Sequence, residues 1–259
     1  MNQDELKKAL SKLPLGEVKY FDSIGSTNNE ALAWATKDAK DLSLVIADEQ
    51  TAGRGRLDRK WFTPPGTALA FSLIIHPTAD EKGYLTRLVG LAALAIVDAL
   101  QARGLIAQIK WPNDVLLNGR KVAGILVESV WSGEEVDYVV IGIGINVLKG
   151  AVPPADLLQF PATSLEESLG AAVEREGILR DILAGIIALR PHLGTDSFIA
   201  TWEKVLAFRG EQVQIEEANG SFTVGKLLGL EPDGSLRLND EQSNSIIVRF
   251  GDVRLRPHR

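Results

Sequence analysis

The 259-residue sequence predicts an α+β fold in which a mixed, largely antiparallel sheet is flanked by helices and followed by a small β-barrel-like domain. Three observations carry this prediction. Residues 115–117, 122–130 and 136–147 are β-rich runs joined by tight turns at Asn118-Gly119 and Ser132-Gly133, the pattern of an antiparallel meander. Residues 84–103 are apolar almost all round, as in a buried helix, with Gly104 as the stop. From about Gly210 the pattern changes to short strands separated by Gly-containing turns. The expected domains are therefore 1–208 and 209–259.

The remaining elements follow in order. The first fifteen residues suggest a short helix ended by Pro14 and Gly16, and 18–21 a strand. A helix begins near Ser26, where Thr27 and Glu30 have capping-box spacing and Ala31, Leu32, Trp34 and Ala35 form an apolar stripe. Residues 42–47 and 68–76 read as buried strands, and 51–65, rich in Gly, Pro and Arg, as a loop between them. Residues 175–193 and 197–205 return to helix. The last domain carries strands at 213–215, 222–228, 236–238 and 246–250, with turns at Asn219-Gly220, Asp233-Gly234 and Gly251-Asp252.

Composition narrows the functional classes. The chain has no cysteine, which excludes disulfides, thiolate zinc sites and an enzyme-bound thioester and fits a reducing compartment. A formal net charge of −6 argues against general nucleic-acid binding. The N-terminus MNQDELKKALSKL lacks the apolar segment of a signal peptide, and residues 88–100 are too short to span a bilayer. A cytoplasmic protein without DNA or membrane partners is expected. The three histidines, His76, His192 and His258, are scattered, so neither a Ser-His-Asp triad nor a histidine metal site is indicated.

The most informative stretch is residues 50–61, where Arg54, Arg56, Arg59 and Lys60 place four cations in seven positions. Cations this close repel one another unless an anion compensates them. Gly53 and Gly55 allow close approach of a ligand to the backbone. In isolation the segment would be a solvated basic turn, but after a buried strand in an acidic protein it favours a flexible phosphate-binding loop. It is not a P-loop, since the Gly-Lys-Ser/Thr ending is missing.

Further on, Lys110-Trp111-Pro112-Asn113-Asp114 opens the predicted hairpin, and Gly119-Arg120-Lys121-Val122-Ala123-Gly124 leaves its turn. Lys121 could neutralise a carboxylate or phosphate, although a solvent-facing lysine is the better reading of that segment alone; Asn113-Asp114 could equally form an Asx turn. Gly142 and Gly144 leave one strand face bare, for a flat ligand or for close packing by another segment. Ser26 and Thr27 read first as helix caps, at a helix start that could also bind a polar ligand.

Taken together, Ser26-Thr27-Asn28, the GRGR loop with Trp61, KWPND, GRKVAGIL and GIGIN resemble the biotin protein ligases, in that order and spacing. The resemblance is strong over residues 16–150 and extends through the C-terminal domain. It implies a class II synthetase-like catalytic domain with an SH3-like C-terminal domain. It also implies that biotin and Mg-ATP form biotinyl-5′-AMP, whose acyl group passes to a lysine of a biotin carboxyl carrier domain. By the same resemblance, Ser26, Thr27 and Gln50 hold biotin's ureido ring with Asn28 beside it, and Arg54, Gly55 and Arg56 belong to a loop that orders over the adenylate. Arg59 contacts phosphates, Trp61 covers the adenine, and Lys121 contacts the biotin carboxylate and α-phosphate. Asn113 and Asn146 lie near the nucleotide and its Mg²⁺, and Asp114 orients the incoming lysine; the metal ligands themselves are not specified. A sheet-edge homodimer is common in such proteins.

Two departures stand out. Asp58 replaces a glycine common in the loop, which implies a stiffer loop or a different closure. Only about fifteen residues precede the catalytic region, so a ligase of the form without the N-terminal helix-turn-helix domain of members that repress transcription is expected. The nearest rival is a lipoate or octanoate ligase or transferase of related fold; a biotin-binding module without catalysis is a second.

Overall fold

The structure is a computed structural model that describes residues 1, 3–37, 39–217, 220–249 and 253–257. Its larger sheet has seven strands in the order β1-β2-β3-β7-β6-β5-β4. These are β1 (Val18–Ile24), β2 (Leu44–Gln50), β3 (Ala68–Ile75), β4 (Ala107–Lys110), β5 (Asp114–Leu117), β6 (Arg120–Ser132) and β7 (Glu135–Asn146). Only β1 and β2 pair in parallel; every other neighbouring pair is antiparallel. The expected meander is β5-β6-β7. The four residues of β4 were not foreseen, because Ala-Gln-Ile-Lys is too short to establish an alternation.

The two sheet faces are covered differently. Helix α2 (Thr27–Ala35) packs Ala31 and Ala35 against Val45, Ile74 and Val140. The other face carries the main core, with α3 (Leu88–Gln101) and α5 (Arg175–Leu189) over Leu44, Ile46, Phe71, Leu73 and Ile141. Successive strand residues alternate between these two environments, as the pleat requires. Residues 82–101 have the length and hydropathy to cross a bilayer, but α3 is buried on nearly every side within the protein.

Helix boundaries shift from those expected. Helix α1 spans only Gln3–Leu10; the predicted helix at 84–103 begins as 3₁₀ turns over Lys82–Arg87; and α5 stops at Leu189, ahead of a 3₁₀ turn holding Pro191. Short α4 (Leu165–Leu169) was not foreseen, and α6 (Asp196–Lys204) was.

The second sheet has five antiparallel strands in the order β11-β10-β9-β8-β12. They are β8 (Gln212–Glu217), β9 (Phe222–Leu230), β10 (Leu236–Asn239), β11 (Ser245–Val248) and β12 (Val253–Pro257), the last unforeseen. Asn219, Phe250, Gly251, Asp252 and His258, named above for their turns, strand end or side chain, lie outside the described residues.

A turn at 231–235 docks this sheet on the 3₁₀ turns before α3 and on Trp111, between β4 and β5. Arg87 Nε donates to Pro232 O (2.7 Å), Thr86 Oγ1 to Asp233 O (2.7 Å), and the buried Trp111 Nε1 to Gly234 O (3.0 Å). Glu203 on α6 accepts from Leu230 N at 2.6 Å. Trp111 directly precedes the segment that enters the pocket described below, so the small sheet buttresses the site from behind. Trp111→Phe keeps the apolar ring but strands the Gly234 carbonyl. It should lower stability by about 1–3 kcal/mol in urea titration.

Candidate active site

Strand register assembles the site before any loop is considered. Ser72 on β3 lies opposite Gly142 on β7, and Gly142 opposite Leu126 on β6; one row along, Gly144 lies opposite Gly124, and Gly124 opposite Asp114 on β5. All point to the face covered by α2. A Cβ at Gly142 would overlap the Asn28 amide, and one at Gly144 would overlap the Trp61 indole. Protein segments thus pack closely on this bare face, and Gly142 and Gly144 also line the first pocket described below.

Ser26 is the N-cap of α2 but makes no side-chain cap hydrogen bond, and Glu30 pairs with Lys19 instead of closing a capping box. The polar groups at this helix start are organised by the pocket. Thr27 N and Oγ1 both donate to Gln50 Oε1, at 2.8 and 3.0 Å. Ser72 Oγ lies 2.5 Å from Asn28 Oδ1 and 2.9 Å from Thr27 Oγ1. Asn28 Nδ2 donates to Glu128 Oε2 at 2.7 Å.

The segment expected as a flexible loop is a miniature hairpin over residues 53–61. Gly55 N donates to Arg59 O (2.7 Å), Trp61 N to Gly53 O (2.9 Å) and Arg59 N to Arg56 O (3.3 Å). Its tip is Leu57-Asp58, with φ of 57° and 54°. Two positive φ values are what a tight hairpin turn demands, and Asp tolerates them better than most residues other than Gly and Asn. Asp58 thus keeps the turn conformation in which a glycine would be unstrained. The hairpin is held by Arg54 on Glu128 (2.7 Å) and by Arg56 Nη1 on Asn113 Oδ1 (3.3 Å). Asn113 in turn bonds the β6 backbone, donating from Nδ2 to Ile125 O at 2.8 Å.

Two adjoining pockets meet beneath it. One is lined by Ser26, Thr27, Asn28, Gln50 and the hairpin; the other by Trp61, Phe62, Asn146 and apolar side chains of residues 151–162. Arg59, Lys60, Trp61, Asp114 and Lys121 line both. The second wall follows the strand of Lys121, whose backbone N donates to Pro161 O and whose O accepts from Thr163 N. Asn146 is anchored there, with Nδ2 donating to Thr163 O at 3.1 Å.

Lys121 is no solvent-facing hairpin lysine: its Nζ lies 2.6 Å from Asp114 Oδ1 and 5.3 Å from the centre of the Trp61 ring. The buried Lys110 reaches Asp114 Oδ2 at 3.4 Å. Burial alone would raise the Asp114 carboxyl, but the Lys121 and Lys110 charges and their hydrogen bonds outweigh it and hold it below the usual carboxylate range. The junction therefore offers an anion several cations around one ionised carboxylate. The residues to which the resemblance assigned a role in binding or catalysis all border these pockets, whereas Gly53 and Asp58 do not. Ser72, Glu128, Lys110 and the 151–162 wall were missed. Ser72 had a signal, as the lone polar residue in Ala68–Ile75, and Lys110 stood inside a quoted motif.

Comparison with known proteins identifies the family. The model of the biotin/lipoate A/B protein ligase family matches residues 20–146. A biotin–[acetyl-CoA-carboxylase] ligase of Paracoccus denitrificans is 39% identical over 233 residues, covering 86% of this chain and 94% of that protein. The chain belongs to the biotin protein ligase family. The bifunctional ligase/repressor BirA of Bacillus spizizenii is 35% identical over 93% of this chain and 75% of its own length. The biotin protein ligase of Aquifex aeolicus, solved in complex with biotin and ATP, superposes with a TM-score of 0.79 at 29% identity. That match covers 93% of this chain and 99% of the other. The mixed sheet with a small antiparallel C-terminal sheet is thus the biotin protein ligase fold.

The Asp114 environment gives a pH prediction. A carboxyl depressed on folding stabilises the native state above the ordinary carboxylate pKa, near 3.9, and that contribution is lost as pH falls toward the lower native value. Asp114→Asn should therefore show a shallower loss of stability than wild type below about pH 4. At pH 7 it should be less stable, with two lysines left uncompensated. Denaturant midpoints measured across this range check both effects.

Proposed function

We propose that this biotin protein ligase catalyses ATP-dependent biotinylation of a protein lysine, with biotin in the first pocket and the nucleotide in the second. The single observation that carries the reading is the junction: both pockets end on Lys121 and Asp114 under an arginine-bearing hairpin. That is where a carboxylate must meet an α-phosphate.

The chemistry runs in two displacements. An oxygen of the biotin carboxylate attacks the α-phosphorus of ATP, and pyrophosphate leaves. The ε-amine of the acceptor lysine then attacks the acyl carbon, the acyl–oxygen bond breaks and AMP leaves. Ser26, Thr27 and Gln50 hold the ureido ring, with Asn28 beside it, and Thr27, Gln50 and Asn28 are already oriented by hydrogen bonds, which reduces the ordering needed on binding. Lys121 moves from Asp114 to the charge that grows on the bridging oxygens, and Lys110 remains with Asp114. Arg54, Gly55, Arg56 and Arg59 close over the phosphates, while Trp61 and the 151–162 wall cover the base. Asp114, released by Lys121, orients the incoming lysine, which gives up its proton to solvent and attacks as the neutral amine.

Mg²⁺ belongs to this reading as a companion of the nucleotide. Among the described residues no group of three His, Cys, Asp or Glu side chains could hold a metal ion. Asn113 and Asn146 are the side chains that would lie near such an ion, which would be held largely by the nucleotide and would neutralise phosphate charge. The acceptor is a biotin carboxyl carrier domain of a biotin-dependent carboxylase. Residues 1–208 carry the chemistry, and 209–259 form an SH3-like domain. The cysteine-free sequence supports a cytoplasmic setting.

Mass spectrometry of a carrier-domain lysine after incubation with protein, biotin and MgATP tests the function. Biotinylation is expected; transfer of lipoate or octanoate but not biotin would replace the reading with its rival. Lys121→Ala should slow adenylate formation on the order of a hundredfold while leaving the fold intact, and an unchanged rate of pyrophosphate release would remove its role. Arg56→Gly breaks the contact with Asn113 and should let biotinyl-AMP escape, so labelling of bystander lysines rises; equal retention by variant and wild type would refute the lid.

A further inference from the structure

We propose that Glu128 is the latch of the arginine–glycine hairpin, and that its ion pair with Arg54 sets how long the acyl-adenylate stays sealed. The second clause rests on the function proposed above; the first stands on geometry alone.

Glu128 lies on β6 opposite Val140, two residues beyond Leu126 on the site face. Its Oε2 accepts from two directions. Asn28 Nδ2 approaches from the pocket floor at 2.7 Å, and Arg54 Nη2 approaches from the hairpin at 2.7 Å. One carboxylate oxygen thus ties the floor to the lid. The Asn28 amide cannot turn away, because its oxygen meets Ser72 Oγ at 2.5 Å while its nitrogen also reaches Leu126 O at 3.3 Å. With that side fixed, Glu128 is held in place for Arg54.

The Arg54 contact is suited to opening and closing. It joins opposite charges at short range, which is stronger than the 3.3 Å contact of Arg56 with a neutral amide oxygen. Its partners are nevertheless 38% and 27% exposed, so water can replace either one without leaving a charge buried. A deeply buried pair would fasten the hairpin for good. This one holds it and lets it go. Arg54 also pairs with Lys60 across the hairpin backbone, so docking Arg54 positions the strand that leads into Trp61.

Hydrogen–deuterium exchange on the protein without ligands, read on peptides covering residues 53–61, tests the latch. Glu128→Gln keeps an oxygen for Asn28 and removes the charge, and Arg54→Gln removes the partner at an exposed position. Each should exchange about threefold faster than wild type in the hairpin, with α3 unchanged as the control for folding. The double variant should go no faster than the singles, because both break one interaction. Dissociation of pre-formed biotinyl-AMP should accelerate by a similar factor.

Unchanged hairpin exchange in both singles, or effects that multiply in the double variant, would overturn the latch. Faster exchange with unchanged release of biotinyl-AMP would overturn the sealing clause alone. A wild-type protein that forms no biotinyl-AMP from biotin and MgATP would remove the proposed function and with it the sealing clause, while exchange would still decide whether Glu128 holds the hairpin.

Discussion

The site depends on room made at the middle of the sheet. Gly142 and Gly144 face the same side of β7, and each is covered by a polar or aromatic group from elsewhere in the chain, Asn28 and Trp61. Any larger side chain would displace these groups. Because β7 is the central strand of the seven, its register fixes the neighbouring rows on β3 and β6 as well. Ser72, Leu126 and Gly124 are where they are because of hydrogen-bonded pairing, not because of their own side chains. The pocket is thus a consequence of sheet geometry, and the loops complete it.

Electrostatics supply the second constraint. Two lysines share Asp114, and Arg56, Arg59 and Lys60 line the same space. A buried carboxylate that holds two ammonium groups keeps the cations in position and restrains their mutual repulsion. It also means that Lys121 can leave Asp114 for a substrate anion without leaving that carboxylate unpaired, since Lys110 remains. The same logic of sharing recurs at Glu128, whose one oxygen serves both Asn28 and Arg54. In both places a single acid joins a group of the pocket floor to one that the proposed mechanism requires to move.

The hairpin joins these two ideas. Its backbone hydrogen bonds give it a definite shape, and its tip puts two non-glycine residues, Leu57 and Asp58, in the left-handed region. A segment that already has this backbone shape has less conformational freedom to lose if it closes over a ligand, as the proposed lid would.

The sequence by itself determined the kinds of element and most of the chemistry. The meander turns, the buried helix and the change of pattern near Gly210 are local signals, each written in neighbouring residues, and the arginine-rich segment carried its charge density openly. The motif order was enough to indicate the family and to name residues that all border the two pockets. What tertiary structure decided was pairing between distant positions. Glu128 meets Arg54 across 74 residues, Asn28 meets Glu128 across 100, and Ser72 meets Asn28 across 44. None of these is visible in a local window, because register and the crossing of α2 over the sheet create them. The same holds for Lys121, which the hairpin alone would leave in solvent and which Asp114, from the adjoining strand, draws into the site.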